Sequence, residues 1–230
     1  MVKSSISVII PAFNEQDSVG KVVSEIPSDV VTQIVVVDNG STDKTAEVAQ
    51  RAGAQVVYES KRGYGQACLR GLSAVKDPEI VVFIDADYSD YPEELIELCE
   101  PISRNLADLV IGSRVRGEAA PGALLPQARF GNWLAVSLIK RLFGVEFSDL
   151  GPFRAISYGC LKKLNMSDTD FGWTVEMQVK AALMKLRCVE IPVRYRKRIG
   201  SSKITGTFSG SFRAGSKILL TIFRNYRFRG

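Results

Sequence analysis

The chain has 230 residues, 46% of them hydrophobic and 24% charged, with a net charge of +5; it is long enough to bury a full core and too apolar to be disordered. It contains no histidine, which excludes Ser-His-Asp and Cys-His nucleophiles, the usual catalytic zinc sites and the commonest general base. No apolar run reaches the roughly 18 residues of a spanning helix, so neither a membrane span nor a signal peptide is expected.

The charge is uneven. Residues 191–230 carry ten Lys or Arg and no Asp or Glu, leaving 20 basic and 25 acidic groups in the first 190. A basic tail suits an anionic membrane or a phosphorylated substrate, and nucleic acid is not expected, because the tail lacks a binding-module pattern and the acidic body would repel it. Cys68, Cys99, Cys160 and Cys188 lie far apart without metal-ligand spacing, which reads as reduced core thiols in a cytosolic protein.

The first strand, residues 5–10, ends in Pro11-Ala12-Phe13-Asn14-Glu15, and Val19, Val22, Val23 and Ile26 follow at helical spacing. A second, Gln33-Ile34-Val35-Val36-Val37, runs into Asp38-Asn39-Gly40-Ser41-Thr42-Asp43 and a helix through Ala52. A third, residues 55–58, leads through Lys61-Arg62-Gly63-Tyr64-Gly65-Gln66-Ala67 into another helix. The fourth, Ile80-Val81-Val82-Phe83-Ile84, delivers Asp85 and Asp87 into a turn before a helix with Leu95, Leu98, Cys99 and Ile102 on one face. Near-continuously apolar strands alternating with helices predict an α/β fold, a mostly parallel central sheet with helices on both faces. The loops would gather Glu15, Asp38, Asp43, Lys61, Arg62, Asp85 and Asp87 on the edge where such a sheet binds its ligand.

Two carboxylates one residue apart repel unless a cation sits between them, and hard oxygen ligands suit Mg2+ or Mn2+ bridging substrate phosphates. The ordinary alternative is capping of the helix near Pro92, although Asp90 stands closer to it. Asp38 and Asp43 have a cap-and-turn alternative as well, with Asn39-Gly40 as the turn. No Gly-x-Gly-x-x-Gly follows the first strand and no Gly-x-x-x-x-Gly-Lys-Ser is present, so a bound nucleotide would be held by carboxylates and a metal.

Pro11-Ala12-Phe13-Asn14-Glu15, Val37-Asp38-Asn39-Gly40-Ser41-Thr42-Asp43, Gly63-Tyr64-Gly65-Gln66-Ala67 and Asp85-Ala86-Asp87, in this order and spacing, resemble the family-2 glycosyltransferases of GT-A fold. Within that family the chain is most similar to the polyprenyl-phosphate sugar synthases of the dolichyl-phosphate mannose synthase type. The resemblance implies that Pro11, Phe13, Glu15 and Asp38 surround the base and ribose of a nucleotide, with Asp85 and Asp87 holding the metal against the diphosphate; Ala12, Asp43, Gly63, Ala86 and Trp173 are further candidates for the nucleotide-sugar site.

In the second half, residues 108–114 read as a strand ending on the cation Arg114, and residues 116–127, rich in Gly, Ala and Pro, as a mobile loop near the site. Phe130, Leu134, Leu138 and Leu142 predict a helix facing the core rather than a membrane. Asp149-Leu150-Gly151-Pro152-Phe153-Arg154 resembles a segment in which relatives carry Ser-Gly where Gly151-Pro152 stands, keeping Asp149 and Arg154. Trp173 is a candidate sugar wall and Glu176 a candidate site carboxylate, a buried Trp with a cap carboxylate being the ordinary alternative. A strand over residues 189–195 contains Pro192, the mark of a sheet edge. The basic loop after it resembles an acceptor-phosphate loop, with Arg198, Ser201 and Lys203 carried over. From Phe208 the chain is amphipathic, with Phe208, Phe212, Leu219, Ile222, Phe223 and Tyr226 on one side, which suits a membrane interface, or docking on the domain or a second subunit in a homo-oligomer.

The expectation is therefore a GT-A domain over residues 1–206 and a basic amphipathic helix over 207–230. The activity implied is an inverting, metal-dependent hexosyltransferase on the cytoplasmic face of a membrane, moving sugar from a GDP-mannose or UDP-glucose type donor to a polyprenyl or dolichyl phosphate. Catalytic roles fall to Asp87, Asp149, Arg114 and Glu176, and acceptor-phosphate binding to Arg114, Arg154, Arg198, Ser201 and Lys203. A phosphate acceptor is already ionised and needs no strong base, which agrees with the missing histidine. A hydroxyl acceptor, with Asp149 or Glu176 as base, and a non-catalytic nucleotide-sugar binder are the alternatives.

Overall fold

A computed structural model describes residues 4–200 and 208–227, the last helix with its side chains from 214 to 226. The first half follows the predicted alternation: β1 (Ile6–Ala12), α1 (Val19–Glu25), β2 (Val31–Asp38), α2 (Thr45–Arg51), β3 (Gln55–Tyr58), α3 (Tyr64–Leu72), β4 (Ile80–Phe83), then, after a short 3-10 turn, α4 (Leu95–Ser103). The second half contains β5 (Leu109–Ser113), α5 (Pro126–Phe143), β6 (Arg154–Ser157), α6 (Tyr158–Leu164), α7 (Trp173–Leu183), β7 (Cys188–Pro192) and α8 (Phe208–Arg227).

The strands form one seven-stranded sheet in the order β3-β2-β1-β4-β6-β5-β7. All run parallel except β6, which is antiparallel to β4 and β5. Sequence reasoning missed β6. The reversal has a functional consequence: the chain enters β6 at the edge where the other strands end, so residues 149–153 join the loops after β1, β2, β4 and β5. Pro192 ends the edge strand β7, as expected of a residue that cannot donate to a ladder.

Two apolar layers hold the sheet. On one face Ile9, Val37, Val81, Phe83 and Ile111 pack under α3, α5, α6, α7 and α8; on the other Val8, Ile10, Val36, Val82 and Val110 pack under α1 and α4. Successive residues of one strand serve opposite layers, which is why the strands read as unbroken apolar runs.

The buried stripe of α5 is Ala135, Val136, Ile139 and Phe143, not the predicted Phe130, Leu134, Leu138 and Leu142. Leu138 and Leu142 only flank the core and Phe130 is exposed. The loop of residues 116–127 lies near the site as predicted. Its start is tied to the chain after β7, with Tyr195 donating to the Glu118 carbonyl at 2.9 Å and accepting from Ala120 at 2.7 Å.

Helix α8 packs against α5 and α7, burying Thr221 and Ile222 and setting Tyr226 edge-on to Phe143 at 6.0 Å. Several cations of the basic tail are engaged by the acidic body: Arg194 pairs with Glu93 and Glu94, Arg196 with Glu25, Arg198 with Glu15 and Asp87, and Lys217 with Asp168.

Gly63 and Gly65 bring the start of α3 against residues 168–170. The Gly65 and Gln66 amides donate to the Asp170 and Thr169 carbonyls at 3.2 and 2.9 Å, satisfying two N–H groups of the helix terminus. A Cβ on Gly65 would lie 2.0 Å from the Asp168 carbonyl oxygen. Gly65→Ala is expected to lower stability by about 2 kcal/mol through backbone overlap, read as a loss in the chemical-denaturation midpoint; an unchanged midpoint would show that residues 168–170 yield freely.

Candidate active site

Two clefts open on the carboxyl edge of the sheet and share a wall. The first, about 490 Å³, is lined by Pro11, Ala12, Phe13, Glu15, Asn39, Arg62, Gly63, Ala67, Ala86 and Asp170. The second, about 620 Å³, is lined by Arg114, residues 122–125, the first turns of α5, Leu150, Pro152, Tyr195, Lys197 and the α8 residues Ala214, Gly215 and Ile218. Tyr64, Asp85, Asp87, Phe171 and Arg198 line both.

β4 ends at Phe83, and the next turn presents Asp85 and Asp87 to this shared wall. The Tyr64 hydroxyl donates to Asp85 Oδ1 at 3.0 Å. Asp87 Oδ1 accepts from the Ser89 amide at 3.0 Å and its hydroxyl at 2.5 Å, while Arg198 approaches Oδ2 at 3.1 Å. The other arm of the Arg198 guanidinium donates to Glu15 at 2.5 Å. Burial and then the Asp87 charge raise the Asp85 pKa. Asp90 lies beneath the pair, buried, with neither oxygen hydrogen-bonded among the described residues; burial, then Asp85 and Asp87, push its pKa well up. The turn carries strain too, since Tyr88 sits at φ 65 with the Arg196 guanidinium 3.3 Å from its ring centroid.

The geometry fits a divalent cation. Two hard carboxylates line the shared wall, and a cation between them would offset the burial, and then the mutual repulsion, that raise the Asp85 pKa. Among the described residues no set of three or more acidic or thiol groups forms a ready cage. Mg2+ or Mn2+ held by Asp85 and Asp87 would draw its remaining ligands from phosphate oxygens and water, as these ions ordinarily do.

Several predicted residues do not reach the clefts. Glu176 is buried at the start of α7, accepting from the Ser167 and Asp168 amides and the Ser167 hydroxyl and pairing with Lys180 at 2.8 Å. It holds the approach to α7 and is no candidate base. Burial raises its pKa, but the Lys180 and Ser167–Asp168 hydrogen bonds outweigh this and hold it below the usual range. Trp173 is fully buried, 5.7 Å edge-to-face from Phe83, a core residue rather than a sugar wall. Asp43 accepts from Thr45 and Gln16 and secures the turn into α2. Arg154 is buried and donates to the Gly151 and Thr174 carbonyls at 3.1 and 2.9 Å, so it fastens the turn before β6 instead of meeting a phosphate. Asp149 is bound through both oxygens by Arg114, at 2.9 and 2.8 Å, away from the cleft linings. Asp38 stands at the end of β2, its Oδ1 accepting from the Ser41 amide at 3.0 Å. Ser201 and Lys203 lie outside the described residues.

Asn39 and Tyr64 are among the residues of this edge that sequence reasoning left out. Asn39 donates to the Glu59 and Lys61 carbonyls and accepts from the Gly63 amide, closing residues 59–63 over the first cleft. Tyr64 reaches Asp85 from the first turn of α3. Both stand inside quoted motifs, where side-chain direction was not legible.

The family model for glycosyl transferase family 2 matches residues 7–164. The chain belongs to that family. An uncharacterized glycosyltransferase of Mycobacterium tuberculosis is 36% identical over 92% of this chain and 94% of its own length. The undecaprenyl-phosphate mannosyltransferase of Micrococcus luteus is 30% identical over 88% of each chain. Among solved structures, the glucosyl-3-phosphoglycerate synthase of M. tuberculosis, in complex with Mn2+, UDP-glucose and phosphoglyceric acid, superposes with a TM-score of 0.77 at 23% identity, covering 97% of this chain and 80% of that one. The fold is thus GT-A, and the enzyme a family-2 glycosyltransferase.

Glu176→Ala is expected to cost about 2 kcal/mol in stability while leaving turnover per folded molecule unchanged, since the carboxylate serves the fold. Its depressed pKa stabilises the fold above the ordinary carboxylate range, so the gap between wild type and variant should narrow as pH falls below about 4. Lost turnover in a variant of unchanged stability would return Glu176 to the chemistry.

Proposed function

We propose that the enzyme transfers a hexose from a nucleoside diphosphate sugar to a polyprenyl phosphate at a membrane surface, with inversion at the anomeric carbon. The observation that carries this reading is the composition of the second cleft. Apolar residues, among them Leu124, Leu125, Leu150, Pro152 and Ile218, form much of its wall, and the cations Arg114, Lys197 and Arg198 line it together with the shared carboxylates. That is the lining a lipid carrying a phosphate head requires. Among the described residues, Asp85 and Asp87 are its sole carboxylates, and with Asp149 tied to Arg114 no base stands ready for a hydroxyl acceptor. The relative named as an undecaprenyl-phosphate mannosyltransferase supports the same class of acceptor.

The nucleotide lies in the first cleft, against Pro11, Ala12 and Phe13, with Arg62 packed 3.5 Å from the Phe13 ring centroid. Its diphosphate reaches the shared wall, where Asp85 and Asp87 would hold Mg2+ or Mn2+; when bound, the cation would supply charge neutralisation for the departing nucleoside diphosphate. Arg198 and Lys197 draw the acceptor phosphate to the same wall from the other side. One phosphate oxygen attacks the anomeric carbon, the bond from that carbon to the diphosphate oxygen breaks, and the electron pair leaves with the nucleoside diphosphate. Placing both reactants across one wall supplies the proximity that carries such displacements. Arg114, fixed by Asp149, contributes a cation whose direction does not depend on the substrate.

The test is nucleoside diphosphate release from a panel of UDP- and GDP-hexoses, with Mg2+ or Mn2+ and a short-chain polyprenyl phosphate. Release is expected only with the lipid phosphate present, and Asp87→Ala should lower it at least a thousandfold, a loss of about 4 kcal/mol in transition-state stabilisation. Arg198→Gln should raise the KM for the lipid phosphate about tenfold or more, the size of one charge-assisted contact. Release that ignores the lipid, or that follows a sugar hydroxyl or a small phosphorylated acid, would overturn the acceptor assignment.

A further inference from the structure

We infer that the outward faces of α5 and α8 form the surface on which the protein docks to an anionic lipid bilayer, with Phe130 and Trp133 entering the headgroup layer. This deepens the polyprenyl-phosphate reading by naming the surface that would present the second cleft to its lipid.

α5 has two unlike faces. Ala135, Val136, Ile139 and Phe143 are buried, whereas Phe130 and Trp133 are 64% and 60% exposed with their rings 5.8 Å apart. An exposed aromatic pair on a helix is costly in water and is the side-chain type that settles at a membrane interface. Arg129 and Arg141 are exposed on the same helix. α8 repeats the pattern, burying Thr221 and Ile222 and exposing Leu220, Phe223 and Arg224.

The two helices pack against each other, and both line the cleft, α5 through Ala128, Gly131 and Asn132 and α8 through Ala214, Gly215 and Ile218. The exposed faces therefore belong to the pair of helices between which the apolar cleft is built.

Charge decides the occupant. α5 carries three Lys or Arg and α8 four, and neither contains an Asp or Glu. Lys140 and Lys217 are paired within the chain; Arg129, Arg141 and Arg224 stand on exposed positions. A second copy meeting this face across a two-fold axis would oppose cation to cation with no carboxylate in either helix to relieve them. An anionic bilayer supplies both the negative charge and the apolar layer that the aromatics need.

The test is co-sedimentation of the full chain with vesicles of phosphatidylcholine alone, or with roughly one-third phosphatidylglycerol, a composition that sets up the negative surface potential. The chain has two tryptophans and Trp173 is buried, so a shift in emission on binding reports Trp133. The wild-type protein is expected to pellet with the anionic vesicles, with emission shifted to the blue. Arg129→Gln combined with Arg141→Gln should weaken partition more than tenfold, at roughly fivefold per charge. Phe130→Ser should weaken it about tenfold, the loss of one buried aromatic. All three positions are exposed, so these variants should keep the wild-type melting temperature. Three results would overturn the inference: no pelleting, pelleting insensitive to these substitutions or without an emission shift, or a wild-type dimer that Phe130→Ser dissociates. Vesicle binding that follows these residues, in an enzyme whose sugar release ignores lipid phosphate, would support the docking surface and refute the acceptor assignment alone.

Discussion

The structure depends on keeping an excess of carboxylates together on one edge of the sheet. Asp85, Asp87, Asp90 and Asp149 converge there, and two unit charges 4 Å apart repel by about 4 kcal/mol at the effective dielectric of a protein surface. The chain offsets this with two arginines used differently. Arg114 is committed, gripping both oxygens of Asp149. Arg198 is divided between Glu15 at the first cleft and Asp87 at the shared wall. Burial, then the neighbouring carboxylates, leave Asp85 and Asp90 with raised pKa values, so in the free enzyme both hold a proton more tightly than an ordinary carboxyl, and a divalent cation at Asp85 would take the place of that proton.

Buried polar clamps keep that arrangement rigid. Arg154 donates to the Leu150 and Gly151 carbonyls of the turn that carries Asp149 and to the Thr174 carbonyl of α7, and Gln178 donates to the Asp149 carbonyl at 3.0 Å. Glu190 accepts from the Ser148 and Asp149 amides. Gly151 lets this turn lie against β5, where an added Cβ would stand 2.5 Å from the Gly112 carbonyl oxygen. The Asp149–Arg114 pair is therefore positioned from several directions at once, which suits a cation that must be in place before a phosphate arrives.

Much of this edge was legible because strands and loops announce themselves by composition. Apolar runs ending in Asn, Asp, Gly and Pro located the loops, and a parallel sheet forces such loops onto one side. Direction was not legible. Glu176, Trp173 and Arg154 follow the motifs that suggest them, yet each turns into the protein, because a helix or strand start does not reveal which neighbour a side chain will meet. The antiparallel β6 escaped for a related reason. It is only four residues long, and its place between β4 and β5 is decided by pairing with strands roughly 45 to 75 residues away in the chain, a distance no local pattern spans.

Group transfer requires two compartments with one reacting wall, and the chain builds them from different parts. The first cleft is made largely by loops of the first half, around Pro11, Asn39, Arg62 and Asp85, within the region matched by the family model. The second draws Thr174, Tyr195, Lys197, Ala214 and Ile218 from beyond that region. The first cleft is thus tied to the loops that the sheet positions directly. The second depends on helices resting against the sheet, and helices can shift, lengthen or change their exposed faces without disturbing strand register. A family built this way can keep its carboxylate pair and alter its acceptor by remodelling α5, α8 and the residues between β7 and α8.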